Sequence, residues 1–326
     1  MSPAPTRRRF IAIAAAAAGF PLAAAGVRAE AAPLHRWSGV ALGAAAEIVL
    51  HGPDAARARR LIARCVAEID RLEDVFSLYR PASALSRLNR DGRLAAPPLE
   101  LVALLAEARH FSERTEGAFD ATVQPLWRAY AAHFARPGAD VRGPAEGALA
   151  EARALVDWRA VEIEPAEVRL ARPGMAVTLN GIAQGYITDR VATLLQEAGM
   201  GDVLLDIGEV RALGRHPEGR PWRIGLRRTA APETLARTVS LADRAVATSA
   251  GIASPFDASG RHHHLFDPAT GRPAPGAAQV SVIAPNAMMA DALSTALAVS
   301  PPARAATLAA RFPEISVLRD DARPPS

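Results

Sequence analysis

Asp291 and Thr295 stand four residues apart in Ala290-Asp291-Ala292-Leu293-Ser294-Thr295. In a helix that spacing brings both side chains to one face, a turn apart. A carboxylate and a hydroxyl so placed offer oxygen ligands to a hard divalent cation such as Mg²⁺. Just upstream, His262-His263-His264 runs into Leu265-Phe266-Asp267-Pro268. An imidazole titrates close enough to neutrality to move protons. A metal with a base beside it is equipment for attacking a phosphate. These residues point to an enzyme acting on a phosphorylated cofactor.

Adjacent histidines cannot all face one site. In a strand, His262 and His264 share one face and His263 takes the other. No Cys or Glu stands at customary zinc spacing from them, so one proton-moving histidine among its neighbours is the better reading. Gly181-Ile182-Ala183-Gln184-Gly185-Tyr186 follows a strand-like run, and its small residues let backbone approach a phosphate or metal at a helix start. Glu116-Gly117-Ala118-Phe119-Asp120 is a glycine turn carrying an aromatic ring and a carboxylate, able to meet a flavin or adenine ring. No G-x-G-x-x-G and no Walker P-loop occurs, so a nucleotide here is held in some other way.

The elements that must position these residues can be read from periodicity. Trp37 to His51 is strand-forming, with Gly39 and Gly43 marking a bend or a close backbone approach. Leu61, Cys65, Ile69, Leu72 and Phe76 recur at helical spacing and predict one long amphipathic helix from Asp54 to Ser77. Ser83 caps a short helix through Leu88, and further helices cover Leu99 to Thr115, Thr122 to Phe134 and Ala145 to Val156. Ala160 to Glu164 pairs with Val168 to Leu170 as a hairpin, and Ala176 to Leu179 reads as a third strand. A helix opens at Gly181 and runs to Ala198. Short strands follow at Val203–Ile207, Trp222–Leu226, Thr238–Leu241, Ala245–Thr248 and Val280–Ala284. Helices at Met288–Val299 and Pro302–Phe312, a strand at Ile315–Leu318 and a polar tail from Arg319 to Ser326 close the chain. Helices gather early and strands late without a βαβ rhythm, which predicts an α+β fold.

The chain has 326 residues, half of them apolar, enough for a sizeable core. Its 38 cationic residues are all arginine and face 34 acids, a formal net charge of +4. Arg7, Arg8, Arg9 and Arg28 lie in the first 29 residues, where no acid occurs. Removing those four charges from +4 leaves a net charge near zero, which argues against a nucleic-acid partner. Thr6-Arg7-Arg8-Arg9-Phe10-Ile11 is similar to a twin-arginine export signal. An Ala-rich apolar run and Val27-Arg28-Ala29, a small-x-Ala cleavage pattern, follow it. Residues 1–29 are therefore expected to be a signal peptide, 30–326 the working domain, and the compartment the periplasm, with an uncleaved membrane anchor as the alternative. Cys65, the only cysteine, falls in the apolar helical run and reads as a buried thiol.

Taken in order, these segments resemble the FAD:protein FMN transferase (ApbE) family from about Val40 to Leu318. The resemblance is carried by Phe76-Ser77-Leu78-Tyr79, Ser83-x-Leu85-Ser86-Arg87-Leu88-Asn89 and Gly117-Ala118-Phe119-Asp120-Ala121-Thr122-Val123-x-Pro125-Leu126. It continues through Gly181-Ile182-Ala183-Gln184-Gly185-Tyr186, Thr248-Ser249, His264-Leu265-Phe266-Asp267-Pro268-x-x-Gly271 and the Asp291–Thr295 run. It implies a T-fold-like α+β architecture in two halves, with FAD bound between them as substrate. It further implies Mg²⁺ held by Asp291, Thr295 and the Gly181 carbonyl, and FAD lined by Leu42, Tyr79, Ala118, Phe119, Asp120, Gln184 and Leu265. His264 is then the base for an acceptor hydroxyl, on a flavoprotein of a membrane-associated electron-transfer system. The family often has Met at Leu42, Lys at Gln184 and Asp at Thr178, and its Gly-Gly-Asp/Glu run shortens here to Gly208-Glu209. Two other readings of the same site are an FAD pyrophosphatase and a non-catalytic periplasmic flavin carrier.

Overall fold

The computed structural model describes residues 33–228, 231–274 and 279–320. The signal-peptide segment and residues 321–326 of the expected tail lie outside them. The chain opens with β1 (Leu34–Ala41) and β2 (Ala44–His51), an antiparallel hairpin. A run of helices follows: α1 (Ala55–Phe76), α2 (Ala84–Asp91), then after β3 (Arg93–Ala95) α3 (Leu99–Arg114), α4 (Gln124–Phe134) and α5 (Glu146–Arg153). Next come β4 (Val161–Ile163), β5 (Glu167–Leu170), α6 (Ala183–Glu197), and the hairpin of β6 (Val203–Ile207) and β7 (Val210–Leu213). A second hairpin joins β8 (Trp222–Arg228) and β9 (Ala231–Leu241). The chain then runs through β10 (Ala245–Ala250), β11 (Phe266–Asp267), β12 (Arg272–Pro273), β13 (Gln279–Ala284), α7 (Ala287–Val299), α8 (Pro302–Ala309) and β14 (Ser316–Asp320).

Seven strands pair in the order β1-β2-β6-β7-β10-β13-β14, and every neighbouring pair is antiparallel. Such a sheet needs cover on both faces if both are apolar. One face carries α1, α6 and α7, whose buried Leu61, Cys65, Ile187, Val191 and Leu293 join the main core. The other is roofed by the β8–β9 hairpin, where Trp222, Ile224, Leu226 and Leu241 pack on Val49, Leu204, Val210 and Val246. A smaller cluster of Leu126, Tyr130, Leu149 and Phe266 ties α4 and α5 to β11. The α+β architecture agrees with the sequence reading.

Several elements differ from expectation for local reasons. Trp37 to His51 is a hairpin rather than one bent strand. The chain reverses at Leu42 and Gly43, with φ of 46° and 82°, the mirror-image turn that suits the strand twist. Leucine is disfavoured there, so the turn was hidden; Glu73 of α1 holds it by accepting the Leu42 N–H at 2.6 Å. Ala176 to Leu179 is no strand. Val177 exchanges both its backbone bonds with the Asn89 side-chain amide, each 2.7 Å, which replaces a strand partner. α6 begins at Ala183, not Gly181, because Ile182 takes a non-helical φ of −153°. β14 extends to Asp320, into the expected tail. Burial pushes the Cys65 thiol up to about 12, the behaviour of a core residue.

Candidate active site

Two close backbone approaches build the centre of the site. A Cβ on Gly185 would fall 2.4 Å from the Ala287 carbonyl, so α6 and α7 touch backbone to backbone there. The same contact sets Gly181 against α7, where a Cβ would lie 2.9 Å from Thr295 Oγ1. Only glycine permits both approaches. In a helix begun at Gly181, the Gly185 N–H would bond the Gly181 carbonyl. It donates instead to Asp291 Oδ2 at 3.1 Å, which leaves that carbonyl without its helical donor.

The start of α7 is occupied by protein. Asp189 accepts from the Ala287 and Met288 N–H groups at 2.9 and 2.8 Å, and the Asn286 side chain from Met289 at 2.8 Å. No free helix terminus remains to bind an anion, and Asp291 is buried a turn further in. Burial, reinforced by Asp189 and opposed by the Gly185 bond, raises its carboxyl to about 7.

Around this centre lies a cavity of about 840 Å³, in the upper part of the range for small-molecule sites. Leu42, Tyr79, Ala118, Phe119, Asp120, Gly181, Gln184, His264, Leu265, Asp291 and Thr295 all line it. Every residue that the family resemblance placed at the metal, the FAD or the proton transfer is thus brought to one space. Their surroundings separate them. Tyr79 is 72% exposed at the mouth, on a turn where Ser77 Oγ accepts its N–H at 3.1 Å. Phe119 is buried, its ring edge-on to Phe111 with centroids 6.4 Å apart. Asp120 accepts from the Thr122 N–H and hydroxyl at 2.7 and 2.6 Å and from the Trp158 N–H at 3.2 Å. Its carboxylate therefore braces a loop. Gln184 covers Gly208, where a Cβ would lie 2.4 Å from its amide nitrogen.

The histidines part company. His262 packs between Tyr130 and Phe134, and His263 is buried against Gly251. His264 alone lines the cavity. Its Nδ1 lies 3.3 Å from the Ser254 carbonyl, which can only accept, so Nδ1 carries the proton and Nε2 keeps a lone pair. Burial, with His263 adding to it, drives its pKa down to about 4. The ring is therefore neutral at ordinary pH.

Sequence reasoning passed over Glu47 and Asp206 and noted Glu209 only as part of a shortened run. Glu47 and Asp206 are cross-strand partners on β2 and β6, and all three acids line the cavity. Burial, helped by Glu47, lifts Asp206 to about 7. Glu209 is buried, with Oε2 unpartnered, and burial together with Asp291 and Asp206 pushes its carboxyl well up. Acids flanking a glycine in an apolar run (Asp206-Ile207-Gly208-Glu209) were the available signal. Among the described residues, no arginine lines the cavity. The acidic side chains here would repel a diphosphate unless a cation accompanied it. The donor set suits a hard cation: one carboxylate, one hydroxyl and one carbonyl lacking its usual partner.

A family model described as the ApbE family matches residues 42–318. The chain belongs to the ApbE family. It is 32% identical over 243 residues to the FAD:protein FMN transferase of Haemophilus influenzae, covering 70% of each chain. With the FAD:protein FMN transferase of Vibrio cholerae the identity is 33%, over 78% of this chain and 79% of that one. The solved flavin transferase ApbE from Vibrio cholerae superposes with a TM-score of 0.75 at 28% identity, covering 88% of this chain and 94% of that one. The family match opens at Leu42, on the hairpin tip at the cavity, and ends within β14.

Proposed function

We propose that this chain is an FAD:protein FMN transferase, moving FMN from FAD to a Thr or Ser hydroxyl of a partner redox protein with release of AMP. The observation that carries this reading is the meeting of Asp291, Thr295 and the Gly181 turn with a neutral His264 in one cavity that no arginine among the described residues lines. Names borne by the relatives supply the substrate. Asp291, the Thr295 hydroxyl and the Gly181 carbonyl would hold Mg²⁺, which when bound neutralises the diphosphate and the departing phosphate. His264 Nε2 takes the acceptor's hydroxyl proton. The freed oxygen attacks the FMN phosphorus, the bond to the bridging oxygen breaks, and AMP leaves with that oxygen. A phosphodiester to the acceptor remains. Leu42, Tyr79, Ala118, Phe119, Asp120, Gln184 and Leu265 would line the FAD, with Leu42, Ala118, Phe119 and Leu265 supplying its apolar contact.

Incubation of the mature protein with FAD, Mg²⁺ and a domain bearing an acceptor threonine tests the transfer. Mass spectrometry should find FMN on the acceptor with wild type and none with Asp291→Ala. No FMN on the acceptor with wild type would defeat the proposal, and rapid AMP release without acceptor would favour a pyrophosphatase. We further propose export by the twin-arginine route to the periplasm, where an acceptor of a membrane-associated electron-transfer system would be met. Lysine at both Arg8 and Arg9 should then retain the protein in the cytoplasm; unchanged location would refute this.

A further inference from the structure

Behind the proposed cation ligands runs a chain of hydroxyls whose proton order can be worked out. Ser294 Oγ lies 3.0 Å from the Asp291 backbone carbonyl. A carbonyl only accepts, so the one proton of Ser294 is committed there. Ser249 Oγ, from β10, lies 2.8 Å from Ser294 Oγ, and Ser249 must therefore be the donor. Ser249 Oγ is also 3.3 Å from Thr295 Oγ1. With its own proton spent on Ser294, Ser249 can only accept there, and Thr295 donates. The order is fixed from the far end: Thr295 to Ser249 to Ser294 to the Asp291 carbonyl.

This order matters because a hydroxyl serves a cation through its lone pairs. A freely rotating Thr295 hydroxyl would present its proton to the cation in part of its orientations. Anchored on Ser249, the proton is drawn back toward β10, and the lone pairs are left for a ligand. The chain also ends on the backbone of Asp291, whose carboxylate is held separately by the Gly185 N–H. Both side-chain ligands are thus set before any cation arrives. Groups that orient ligands in this way commonly govern metal affinity.

We propose that Ser249, itself oriented by donating to Ser294, is a positioning residue that fixes the Thr295 hydroxyl as a lone-pair donor toward the cation. The proposal rests on the reading of Asp291 and Thr295 as cation ligands. Binding of Mn²⁺ to the mature protein, followed by the electron paramagnetic resonance of free Mn²⁺ with and without ADP as an inert diphosphate, tests it apart from turnover.

Ser249→Ala and Ser294→Ala should each weaken Mn²⁺ binding about tenfold, and Thr295→Ala at least as much. Ser249→Thr, which keeps the hydroxyl, should restore wild-type affinity. Ser281→Ala removes a hydroxyl that pairs with Thr248 at 2.8 Å outside this chain and should bind Mn²⁺ like wild type. Wild-type affinity in Ser249→Ala beside a weak Thr295→Ala would overturn the proposal and leave the cation reading standing. A weak Ser249→Ala that Ser249→Thr does not restore would mean lost packing, and would also overturn it. Equal affinity in wild type, Asp291→Ala and Thr295→Ala would bring down the cation reading and this proposal together.

Discussion

Two walls of the cavity each carry a buried aspartate, and the two do different things. On the 118–122 loop, Asp120 accepts three bonds: the Thr122 N–H, its hydroxyl and the Trp158 N–H all donate to it. On α7, Asp291 receives a single N–H from Gly185 and lies close to the acidic Glu209. Both side chains line the same space and both are raised by burial. Hydrogen-bond accounting separates them where position does not. A carboxylate that accepts three bonds from its own loop and the Trp158 N–H acts as a brace, whereas one that accepts a single bond keeps lone pairs for the proposed cation.

The comparison breaks most directly at Asp291. Asp291→Asn should keep the fold and lower FMN transfer about a thousandfold, close to 4 kcal/mol of barrier, with Mn²⁺ affinity lost in parallel. A smaller loss at unchanged Mn²⁺ affinity would place the cation elsewhere.

His264→Gln should lower transfer about a hundredfold without weakening Mn²⁺ binding, and the pH profile should tell the two groups apart. On the proposed reading Asp291 would bind a cation as the carboxylate, so affinity should rise as pH climbs through about 7 and fall as protons return below it. At limiting Mg²⁺ the rate should therefore decline below about pH 7, and excess Mg²⁺ should move that decline lower. His264 works as the neutral ring, which is lost only as pH falls through about 4. Excess metal should not move the decline past that point. A profile insensitive to metal concentration would contradict this assignment.

The smallest effect on chemistry is expected at Asp120. Asp120→Asn leaves buried donors facing an amide and should lower unfolding free energy by about 1–3 kcal/mol, with Mn²⁺ affinity like wild type. Affinity lost in a variant that melts like wild type would make the two walls alike.

Much of the site was legible because its parts are local. The Asp291–Thr295 pair follows from helical spacing alone, and the run Leu61, Cys65, Ile69, Leu72, Phe76 became the buried stripe of α1. The Leu42–Gly43 turn was not legible, because leucine at positive φ contradicts turn preference and is held by Glu73, distant in sequence. Nor was the fate of Ala176 to Leu179, whose partner is an amide side chain on α2. Glu47 and Asp206 look like ordinary strand acids until β2 and β6 are paired.

Residue type and spacing by themselves determined the helices, the α+β class and the presence of a carboxylate–hydroxyl pair, since each depends on neighbours within a turn or two. Which histidine faces the cavity, which aspartate has fewer donors, and in what order the Ser249, Ser294 and Thr295 protons run were decided only by tertiary structure. Those properties belong to contacts between segments far apart in the chain, where burial and the supply of hydrogen-bond partners are set by packing.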